Sequence, residues 1–373
     1  MNCAHFGVCG GCTLPGVPYP EQLLKKQKEL SRLLGFRVPP LIPSPDESGF
    51  RCKVAFVFAP RGKDFVMGHY ALGSNRVIPV EECPVHHERG NRIAFALRDA
   101  LRSAFARSAG FGGSGLLRHV IVRTTQDGRE ATAMLVVHRN DKSLRAPIKK
   151  FLSSAEKPDG FFVNIHDKPG PFMVGDETIK IEGRSHVKET VNGVSYLVSP
   201  TAFFQTNVGA ATEIVKLVLE EAGSAKTVLD LYCGTGLFSL QLAKAGARVV
   251  AIEENRQAIK DAEANLRLNR VPEGQVKFIA GRVEEFVRLK ANATSGDAVV
   301  LDPPRQGCPR PVLDAVFERM RPAKAVYVSC NPEALAGELP VILKAGYRVT
   351  RAQAVDMFPH THHIEAVIAV TRG

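Results

Sequence analysis

The sequence predicts an α/β protein with an N-terminal α+β region (residues 1–198) and a C-terminal domain (residues 199–373) built on a doubly wound sheet. From about Phe50 to about Val198, short alternating runs of apolar and polar residues are separated by Gly, Asp and Asn, as in an antiparallel sheet. From about Thr201 onward, apolar strand-like runs alternate with helix-like segments, as in a mostly parallel sheet. A chain of 373 residues is long enough for two hydrophobic cores.

The N-terminal region contains six strand-like segments and one helical insert. The segments are KVAFVFA, DFVMGHY, LRHVIVRTT, EATAMLVVH, GFFVNIH and TIKIEG, and the insert is HHERGNRIAFALRDALRSAFARSA. Asn192-Gly193 is a pair that tolerates the left-handed backbone of a tight turn, so it predicts a hairpin between two such runs.

The C-terminal domain contains five strand-like runs with helix-like segments between them. These runs are TVLDLYC, RVVAIEE, VKFIAG, AVVLDPP and AVYVSCN. The last segment, YRVTRAQAVDMFPHTHHIEAVIAV, contains two strands and a turn without a crossover helix. Because a short connection forces antiparallel pairing, the final strand HIEAVIAV is predicted to run opposite to the others.

Composition narrows the class of protein. The chain has 49 Lys and Arg against 38 Asp and Glu, a formal net charge of +11. This charge favours a polyanionic partner such as nucleic acid, although a generally basic cytosolic protein fits it equally well. No apolar run approaches the roughly 18 residues of a membrane span, and the N-terminus lacks the features of a secretory signal. Eight cysteines in such a chain predict a cytoplasmic setting and metal binding or catalysis rather than disulfides.

A glycine turn follows the first strand of the C-terminal domain. Gly234 and Gly236 permit a tight turn and close approach of a ligand to the backbone. The third glycine of a dinucleotide-binding turn is replaced by Ser239, which weakens the case for a pyrophosphate. Glu253 ends the second strand, where an acceptor for ribose hydroxyls is expected. The turn therefore favours an adenosyl ligand such as S-adenosylmethionine over NAD, the alternative being a purely structural turn.

Cys330 lies where an apolar run stops, in VSCNP, the place where active-site side chains lie in open α/β sheets. One strand earlier, Asp302 is followed by two prolines that fix a rigid exit from the strand.

A cysteine at such a place can act as a nucleophile. A thiolate can add to C6 of uracil, which makes C5 nucleophilic towards a sulfonium methyl group; a base then removes the C5 proton and the thiolate leaves. Cys330 is the candidate nucleophile.

The candidate base is Glu365, at the start of the final strand. Ligands bind at the carboxyl edge of a parallel sheet, and an antiparallel strand starts at that same edge. Glu365 is therefore expected to face Cys330, although the alternative is a solvated charge at a strand end. The nearby His360, His362 and His363 are interpreted as polar loop residues without a catalytic role.

At this point the motifs resemble a known family, the bacterial RNA uracil-C5 methyltransferases that use S-adenosylmethionine. The resemblance rests on FFQTN, DLYCGTG, AIEE, LDPPRQG, VSCNP and DMFPHTHHIE, which span the catalytic half of the chain. It implies a Rossmann-like methyltransferase domain with Cys330 as the nucleophile and Glu365 as the base. It also implies a pocket for the cofactor and the uracil that is lined or held by Gln205, Tyr232, Gly234, Glu253 and Asp302.

Four cysteines suggest a second centre in the N-terminal region. Cys3, Cys9 and Cys12 are clustered, and Cys83 follows in EECPVHH. Four thiolates can hold an iron–sulfur cluster or zinc, and their spacing does not choose between them. Within the family, the pattern resembles the [4Fe–4S] site of the 23S rRNA branch, in its shorter form without an extra β-barrel domain, whereas the common tRNA members lack these cysteines. Cys52 is a fifth nearby thiol and leaves the ligand set open.

The two other cysteines, Cys233 and Cys308, are predicted to be non-catalytic. Cys233 belongs to the glycine turn, and Cys308 lies in a loop.

A target base must leave its stack to reach a buried thiol. The antiparallel half is expected to hold the RNA through its basic residues. Predicted phosphate contacts are Arg51, Lys53, Arg61, Lys63, Arg118 and Arg123. A basic stretch contains Arg139, Lys142, Arg145, Lys149 and Lys150, for which a solvated helix face is an equal alternative. Phe203 and Phe204 are candidates to stack on the flipped base, with a place in the core as the alternative.

Three functions remain open from the sequence. The preferred one is a monomeric, cytoplasmic 23S rRNA uracil-C5 methyltransferase with S-adenosylmethionine and a [4Fe–4S] cluster. The second keeps the chemistry on tRNA. The third is a non-catalytic metal-cluster RNA-binding protein, which the joint presence of Gln205, Asp302, Cys330 and Glu365 disfavours.

Overall fold

The computed structural model describes residues 3–62, 64–105, 115–168, 173–290 and 296–373. These residues form two seven-stranded sheets and a separate two-stranded hairpin. Within the same ranges, no helix combines the length and the apolar character that crossing a bilayer requires.

The N-terminal sheet is mixed rather than fully antiparallel. Its strands are β1 (Lys53–Arg61), β2 (Asp64–Tyr70), β3 (Val77–Pro79), β4 (Leu117–Thr124), β5 (Ala131–Val137), β6 (Gly160–Ile165) and β7 (Glu177–Gly183). They are arranged in the order β3-β2-β1-β4-β5-β6-β7. The predicted antiparallel sheet is wrong at one place, because β5 and β6 pair in parallel. The chain between them contains a 3₁₀ turn (Lys142–Leu144) and a helix (Arg145–Leu152), which provide the crossover that parallel pairing needs.

The core of this sheet lies under the predicted helical insert. The described part of the N-terminal half has three α-helices, α1 (Tyr19–Leu34), α2 (Glu88–Phe105) and α3 (Arg145–Leu152). Alternate residues of β1 point inward, and helix α2 covers them with residues at helical spacing. The buried side chains are Val54, Phe56 and Phe58 from the strand and Ile93, Leu97 and Leu101 from the helix.

The predicted hairpin forms as β8 (Val187–Val191) and β9 (Val194–Val198). Asn192 and Gly193 have φ values of 47° and 75°, as a two-residue turn of this type requires. The hairpin packs into the core of the C-terminal sheet through residues such as Tyr196. Leu30 of α1 likewise shares a core with the C-terminal half. The division at residue 198 stays a prediction, since these two early segments pack with the later sheet.

The C-terminal sheet has the predicted doubly wound architecture. Its strands are β10 (Thr227–Leu231), β11 (Arg248–Glu253), β12 (Val276–Ala280), β13 (Ala298–Leu301), β14 (Lys324–Ser329), β15 (Tyr347–Val355) and β16 (Glu365–Arg372), in the order β12-β11-β10-β13-β14-β16-β15. Its helices are α4 (Val208–Ala222), α5 (Leu237–Lys244), α6 (Arg256–Leu268), α7 (Val283–Lys290), α8 (Arg310–Asp314), which continues as a π-helical turn (Ala315–Met320), and α9 (Pro332–Lys344). The first five strands are parallel, and β16 runs antiparallel between β14 and β15, which confirms the prediction for the last strand.

Candidate active site

Cys330 occupies the turn between β14, which ends at Ser329, and α9, which begins at Pro332. The side chain of Asn331 accepts a hydrogen bond from the backbone N–H of Glu333 and so caps the helix. Proline suits the first helical position, where no backbone donor is needed. The Asn-Pro pair after the thiol therefore starts a helix, and Cys330 is held half-buried at the carboxyl edge of the sheet.

Glu365 lies across from Cys330 on the neighbouring antiparallel strand. Ser329 of β14 is paired with Ala366 of β16, so Cys330 and Glu365 are the next residues beyond that pair. Side chains directly opposite each other on antiparallel strands project to the same face, with Cβ atoms roughly 5 Å apart. Glu365 is only 5% exposed. The strand direction thus brings a thiol and a buried carboxyl together from positions 35 residues apart (365 minus 330).

The electrostatics of this edge favour the protonated forms of both groups. Burial, followed by the charge of Asp302, raises the pKa of Glu365 to about 8. Burial, followed by the charges of Glu365 and Asp302, raises the pKa of the Cys330 thiol to about 11. The guanidinium of Arg305 acts in the opposite direction on both pKa values. We call Asp302, Arg305, Cys330 and Glu365 the reaction edge.

Buried carboxyls continue from Asp302 towards the first strand. Burial and the charges of Asp230 and Glu253 raise the pKa of Asp302 to about 7. Burial also raises the pKa of Asp230 to about 7, although Ser239 Oγ donates a 2.5 Å hydrogen bond to its Oδ2. The other oxygen of Asp230, Oδ1, is buried without a hydrogen-bond partner. Such an array of carboxyls is suited to a cationic ligand, which would relieve the repulsion among them.

The turn after β10 forms a cradle beside these carboxyls. Tyr232 and Gly234 both have left-handed backbones, with φ values of 66° and 54°; for a tyrosine this conformation costs energy and is typical of functional sites. The N–H of Gly234 donates to Glu253 Oε2 at 3.1 Å. A Cβ on Gly234 would meet no heavy atom within 4 Å, so the backbone is open to a ligand. The open turn, the Glu253 carboxylate and the buried negative charge fit S-adenosylmethionine, with its ribose and its sulfonium.

Gln205 lies half-buried on the loop that joins β9 to α4. This loop is held on both sides. The N–H of Cys52 donates to Thr206 O at 2.7 Å, and Asn207 Nδ2 donates to Met357 O at 3.1 Å, on the loop that leads to Glu365. Gln205 is therefore part of a segment that is tied to the approach of the candidate base.

The two phenylalanines of this loop have different environments. Phe203 is 69% exposed and is free to stack on a base. Phe204 is 3% exposed and packs against Tyr196 with ring centroids 5.5 Å apart. The prediction of a stacking role for Phe204 is wrong, because its ring is part of the hydrophobic core.

The four cysteines of the N-terminal region, Cys3, Cys9, Cys12 and Cys83, line one cavity together with Arg51, His69 and His86. The charge of Cys12 interacts with the charges of Cys3, Cys9 and Cys83. Burial raises the pKa of Cys12 to about 11 and that of Cys83 to about 12, and the guanidinium of Arg51 opposes both shifts. Four convergent thiols fit an iron–sulfur cluster. We call this set of residues the cysteine cavity.

Three other cysteines lie in apolar surroundings. Cys52 is 1% exposed and belongs to the core that includes Val208, rather than lining the cysteine cavity. Cys233 and Cys308 are each 5% exposed. Of the five thiols that the sequence offered as metal ligands, four line the cysteine cavity and Cys52 does not.

Several predicted phosphate contacts lie elsewhere than expected. Arg51 lines the cysteine cavity, and Arg123 is 3% exposed and donates to Ala202 O at 3.3 Å, beneath the Gln205 loop. The prediction for Arg123 is wrong, because its guanidinium is enclosed by protein. Arg51 is only partly buried, so its contact with phosphate stays a prediction. Arg118 is half-buried and donates to the carbonyl oxygens of His166 and Lys168.

The remaining basic residues are distributed unevenly. Arg61 is exposed, Lys53 is partly buried, and Lys63 lies outside the described residues. The basic stretch on the 3₁₀ turn and helix α3 is exposed, as either of its two interpretations requires. Its residues are Arg139, Lys142, Arg145, Lys149 and Lys150.

Sequence reasoning missed three side chains at the two centres. Arg305 directly follows Asp-Pro-Pro, and its position next to that motif was a usable signal for a role at the reaction edge. His86 lies three residues after Cys83, a spacing that metal sites use. His69 had no such signal: it lies on β2, where it pairs with Ile78 of β3, and it lines the cavity from there.

A family model described as tRNA (uracil-5-)-methyltransferase matches residues 173–373. An RNA methyltransferase of Caldanaerobacter subterraneus, itself uncharacterised, is 33% identical over 99% of this chain and 84% of its own length. An uncharacterised RNA methyltransferase of Geobacter sulfurreducens is 32% identical over 100% of this chain and 77% of its own length. Both similarities extend through the N-terminal region as well as the reaction edge.

A similar solved structure is that of the Pyrococcus abyssi tRNA (uracil-54, C5)-methyltransferase in complex with S-adenosyl-L-homocysteine. It is 28% identical, covers 98% of this chain and 86% of its own, and has a TM-score of 0.81. The product of methyl donation is bound in that structure, which agrees with the carboxyl array and the glycine turn described above.

Proposed function

The chain belongs to the tRNA (uracil-5-)-methyltransferase family of RNA methyltransferases, and we propose that it methylates C5 of an RNA uracil through a covalent bond between Cys330 and C6. The observation that carries this proposal is the reaction edge. There, the pairing of β14 with β16 leaves the thiol of Cys330 opposite the buried carboxyl of Glu365. A nucleophile and a base on one face are what the chemistry of C5 requires.

Cys330 acts first and last in the proposed mechanism. Its thiolate adds to C6 of uracil, which forms an S–C6 bond and moves the C5–C6 electron pair onto the ring as an enolate. When bound, S-adenosylmethionine supplies an electrophilic methyl group at the cradle formed by Tyr232, Gly234 and Glu253. After methylation of C5, the electron pair of the C5–H bond restores the double bond to C6 and expels the Cys330 thiolate.

Glu365 accepts the C5 proton in that last step. A carboxyl can do this only when ionised, and burial keeps the pKa of Glu365 near 8. Arg305 lowers the pKa values of both Glu365 and Cys330. Arg305 therefore favours the ionised forms of the base and of the thiol.

The proposal includes a [4Fe–4S] cluster in the cysteine cavity, held by Cys3, Cys9, Cys12 and Cys83. Four thiolates around one space are the ligand set of such clusters. A cluster with four thiolate ligands is anionic, and the guanidinium of Arg51 offsets that charge. The reaction at uracil needs no electron transfer, so the proposed role of the cluster is structural.

The proposed substrate is 23S rRNA, and the chain is proposed to act as a cytoplasmic monomer. The four-cysteine pattern supports this choice through its resemblance to the rRNA branch of the family. Transfer RNA is the second candidate, favoured by the similarity over 98% of the chain to a structure named as a tRNA (uracil-54, C5)-methyltransferase. The net charge of +11 suits either nucleic acid.

The experiment that separates these candidates is methyl transfer from labelled S-adenosylmethionine to unmodified 23S rRNA and, separately, to unmodified tRNA. We expect label on one uracil of 23S rRNA, located by mapping the modified base. Label on tRNA alone would retain the mechanism and overturn the rRNA assignment. No label on either RNA would overturn the proposed activity and favour a binding protein.

A further inference from the structure

Two histidines of the cysteine cavity have no role in the function proposed above. The side-chain donors of His69, Cys83 and His86 all lie within 4.8 Å of one another, and among the described residues they are the trio that approaches so closely. His69 is on β2, whereas Cys83 and His86 belong to one turn, in which His86 N–H donates to Cys83 O at 3.0 Å. This turn has the Cys-x2-His spacing seen in zinc sites.

His86 is enclosed by the protein, and one of its ring nitrogens is unpaired. It is 3% exposed, and its Nδ1 is buried with no hydrogen bond. Phe56 packs against both imidazoles, with ring centroids 4.8 Å from His69 and 5.0 Å from His86. A buried imidazole nitrogen without a partner costs free energy unless a ligand satisfies it. A metal ion is such a ligand, because imidazole nitrogen is a preferred donor to zinc.

A fourth possible donor lines the same cavity, outside the close trio. Cys12 lines the cavity, and its charge interacts with that of Cys83. Two thiolates would neutralise a divalent cation, so the guanidinium of Arg51 nearby would face a neutral centre rather than a cation. Two cysteines and two histidines are a common tetrahedral zinc set.

We propose that His69, Cys83 and His86, with Cys12 as the fourth donor, form a mononuclear Zn²⁺ site that shares Cys12 and Cys83 with the [4Fe–4S] cluster. The two centres are therefore mutually exclusive. In the cluster-free chain Zn²⁺ occupies the histidine side of the cavity and leaves Cys3 and Cys9 as free thiols. The site rests on donor geometry, so it stands whether or not the RNA substrate assignment is right.

The test uses the full chain, prepared without a cluster under anaerobic conditions and titrated with Co²⁺ as a spectroscopic probe for zinc. We expect one Co²⁺ per chain, with the visible absorption bands of a tetrahedral ion and charge-transfer bands from thiolate. Added Zn²⁺ should displace the Co²⁺. Binding to Zn²⁺ should also slow later reconstitution of the iron–sulfur cluster.

Two matched variants locate the site. H69F/H86F keeps aromatic rings packed on Phe56 but removes both nitrogen donors, so Co²⁺ affinity should fall by about tenfold or more, since even outer partners of metal ligands contribute that much. Cluster assembly in this variant should persist. C3S/C9S removes two cluster ligands and should retain the Co²⁺ spectrum.

Unchanged Co²⁺ affinity in H69F/H86F would overturn the proposal, as would loss of the Co²⁺ spectrum in C3S/C9S. The single variant H69F is the control for misfolding of the double variant, because the ring of His69 is only half-buried. It should show the same loss of affinity with an unchanged circular dichroism spectrum. Failure of the wild-type chain to assemble a cluster would count against the cluster alone, because the Co²⁺ titration does not require one.

Discussion

The reaction edge and the cysteine cavity both gather reactive side chains, but different groups surround them. At the reaction edge, burial and the charge of Asp302 raise the pKa of Glu365, and burial and the charges of Glu365 and Asp302 raise the pKa of Cys330. In the cysteine cavity, four thiols lie together near the guanidinium of Arg51. Carboxyls that repel one another favour a cationic ligand, whereas thiolates beside a guanidinium favour an anionic cluster. The same fold thus prepares one edge for a sulfonium and another space for a metal centre.

The two regions are also joined. The N–H groups of Thr13 and Leu14, just after Cys12, donate to His360 O at 2.9 and 3.0 Å. His360 belongs to the loop that leads to Glu365, and its own N–H donates to Gln22 Oε1 at 2.8 Å. The segment from Cys9 to Leu14, which we call the cysteine loop, therefore supports the segment that carries the candidate base.

The largest effect should come from C330A. Removing the nucleophile should lower methyl transfer by about 10⁴-fold or more while RNA binding persists, because no other thiol lies opposite Glu365. The measurement is label transfer alongside RNA affinity. C52S is the matched control, since the Cys52 thiol is buried in the hydrophobic core and lies outside the reaction edge. Activity that survives in C330A would show that the nucleophile has been misassigned.

The next largest effect should come from E365Q. Without a base the C5 proton stays, so the thiolate cannot leave, and kcat should fall by about 10²- to 10⁴-fold. A covalent complex between protein and RNA should then accumulate and be visible on a denaturing gel. E338Q is the control, because Glu338 lies outside the reaction edge. Its carboxylate accepts hydrogen bonds from Tyr327 Oη and from the N–H of Cys308. An adduct in E338Q, or none in E365Q, would contradict the role of Glu365.

A cysteine-cavity variant should have a smaller effect on chemistry. C9S should lose the cluster, measured as iron and sulfide content, and kcat should fall by about tenfold because the cysteine loop supports the His360 segment. C52S should retain both cluster and activity, because Cys52 lies outside the cysteine cavity. If C9S abolished methyl transfer as completely as C330A, the two regions would not be separable in function.

F203A tests contact with RNA rather than chemistry. Loss of one stacked ring costs about 1–3 kcal/mol, so the KM for RNA should rise by about tenfold with little change in kcat. L289A is a matched control, because Leu289 is 67% exposed on α7. A change in kcat with KM constant would place Phe203 in the chemical step instead.

The smallest effect is a shift along the pH axis. In the wild type, kcat should rise with pH towards about 8, as Glu365 loses its proton. Arg305 lowers the pKa values of Glu365 and Cys330, so R305Q should raise both and move this limb upward by about one pH unit. R310Q is the control, since Arg310 forms an exposed pair with Asp314 at 2.6 Å. A downward shift in R305Q would reverse the proposed electrostatics.

Much of the reaction edge was predictable because topology acts through the order of elements along the chain. Alternating strands and helices force parallel strands, and all their carboxyl ends meet at one edge. The short link before β16 forces that strand to run the other way, which is why Glu365 could be placed opposite Cys330 from the sequence. The Asn192-Gly193 turn was equally local, since its two residues alone provide the left-handed backbone.

Tertiary structure decided what local pattern cannot express. A positive charge looks alike in sequence whether it is solvated or enclosed, so the burial of Arg123 and the place of Arg51 in the cysteine cavity emerged only from packing. The parallel pairing of β5 with β6 depended on a crossover through the 3₁₀ turn and α3, which the sequence showed only as a basic stretch. His69 reaches the cysteine cavity through strand pairing, at a distance along the chain that no spacing motif covers. Charge neutralisation and ligand convergence are three-dimensional properties, and there the sequence alone was insufficient.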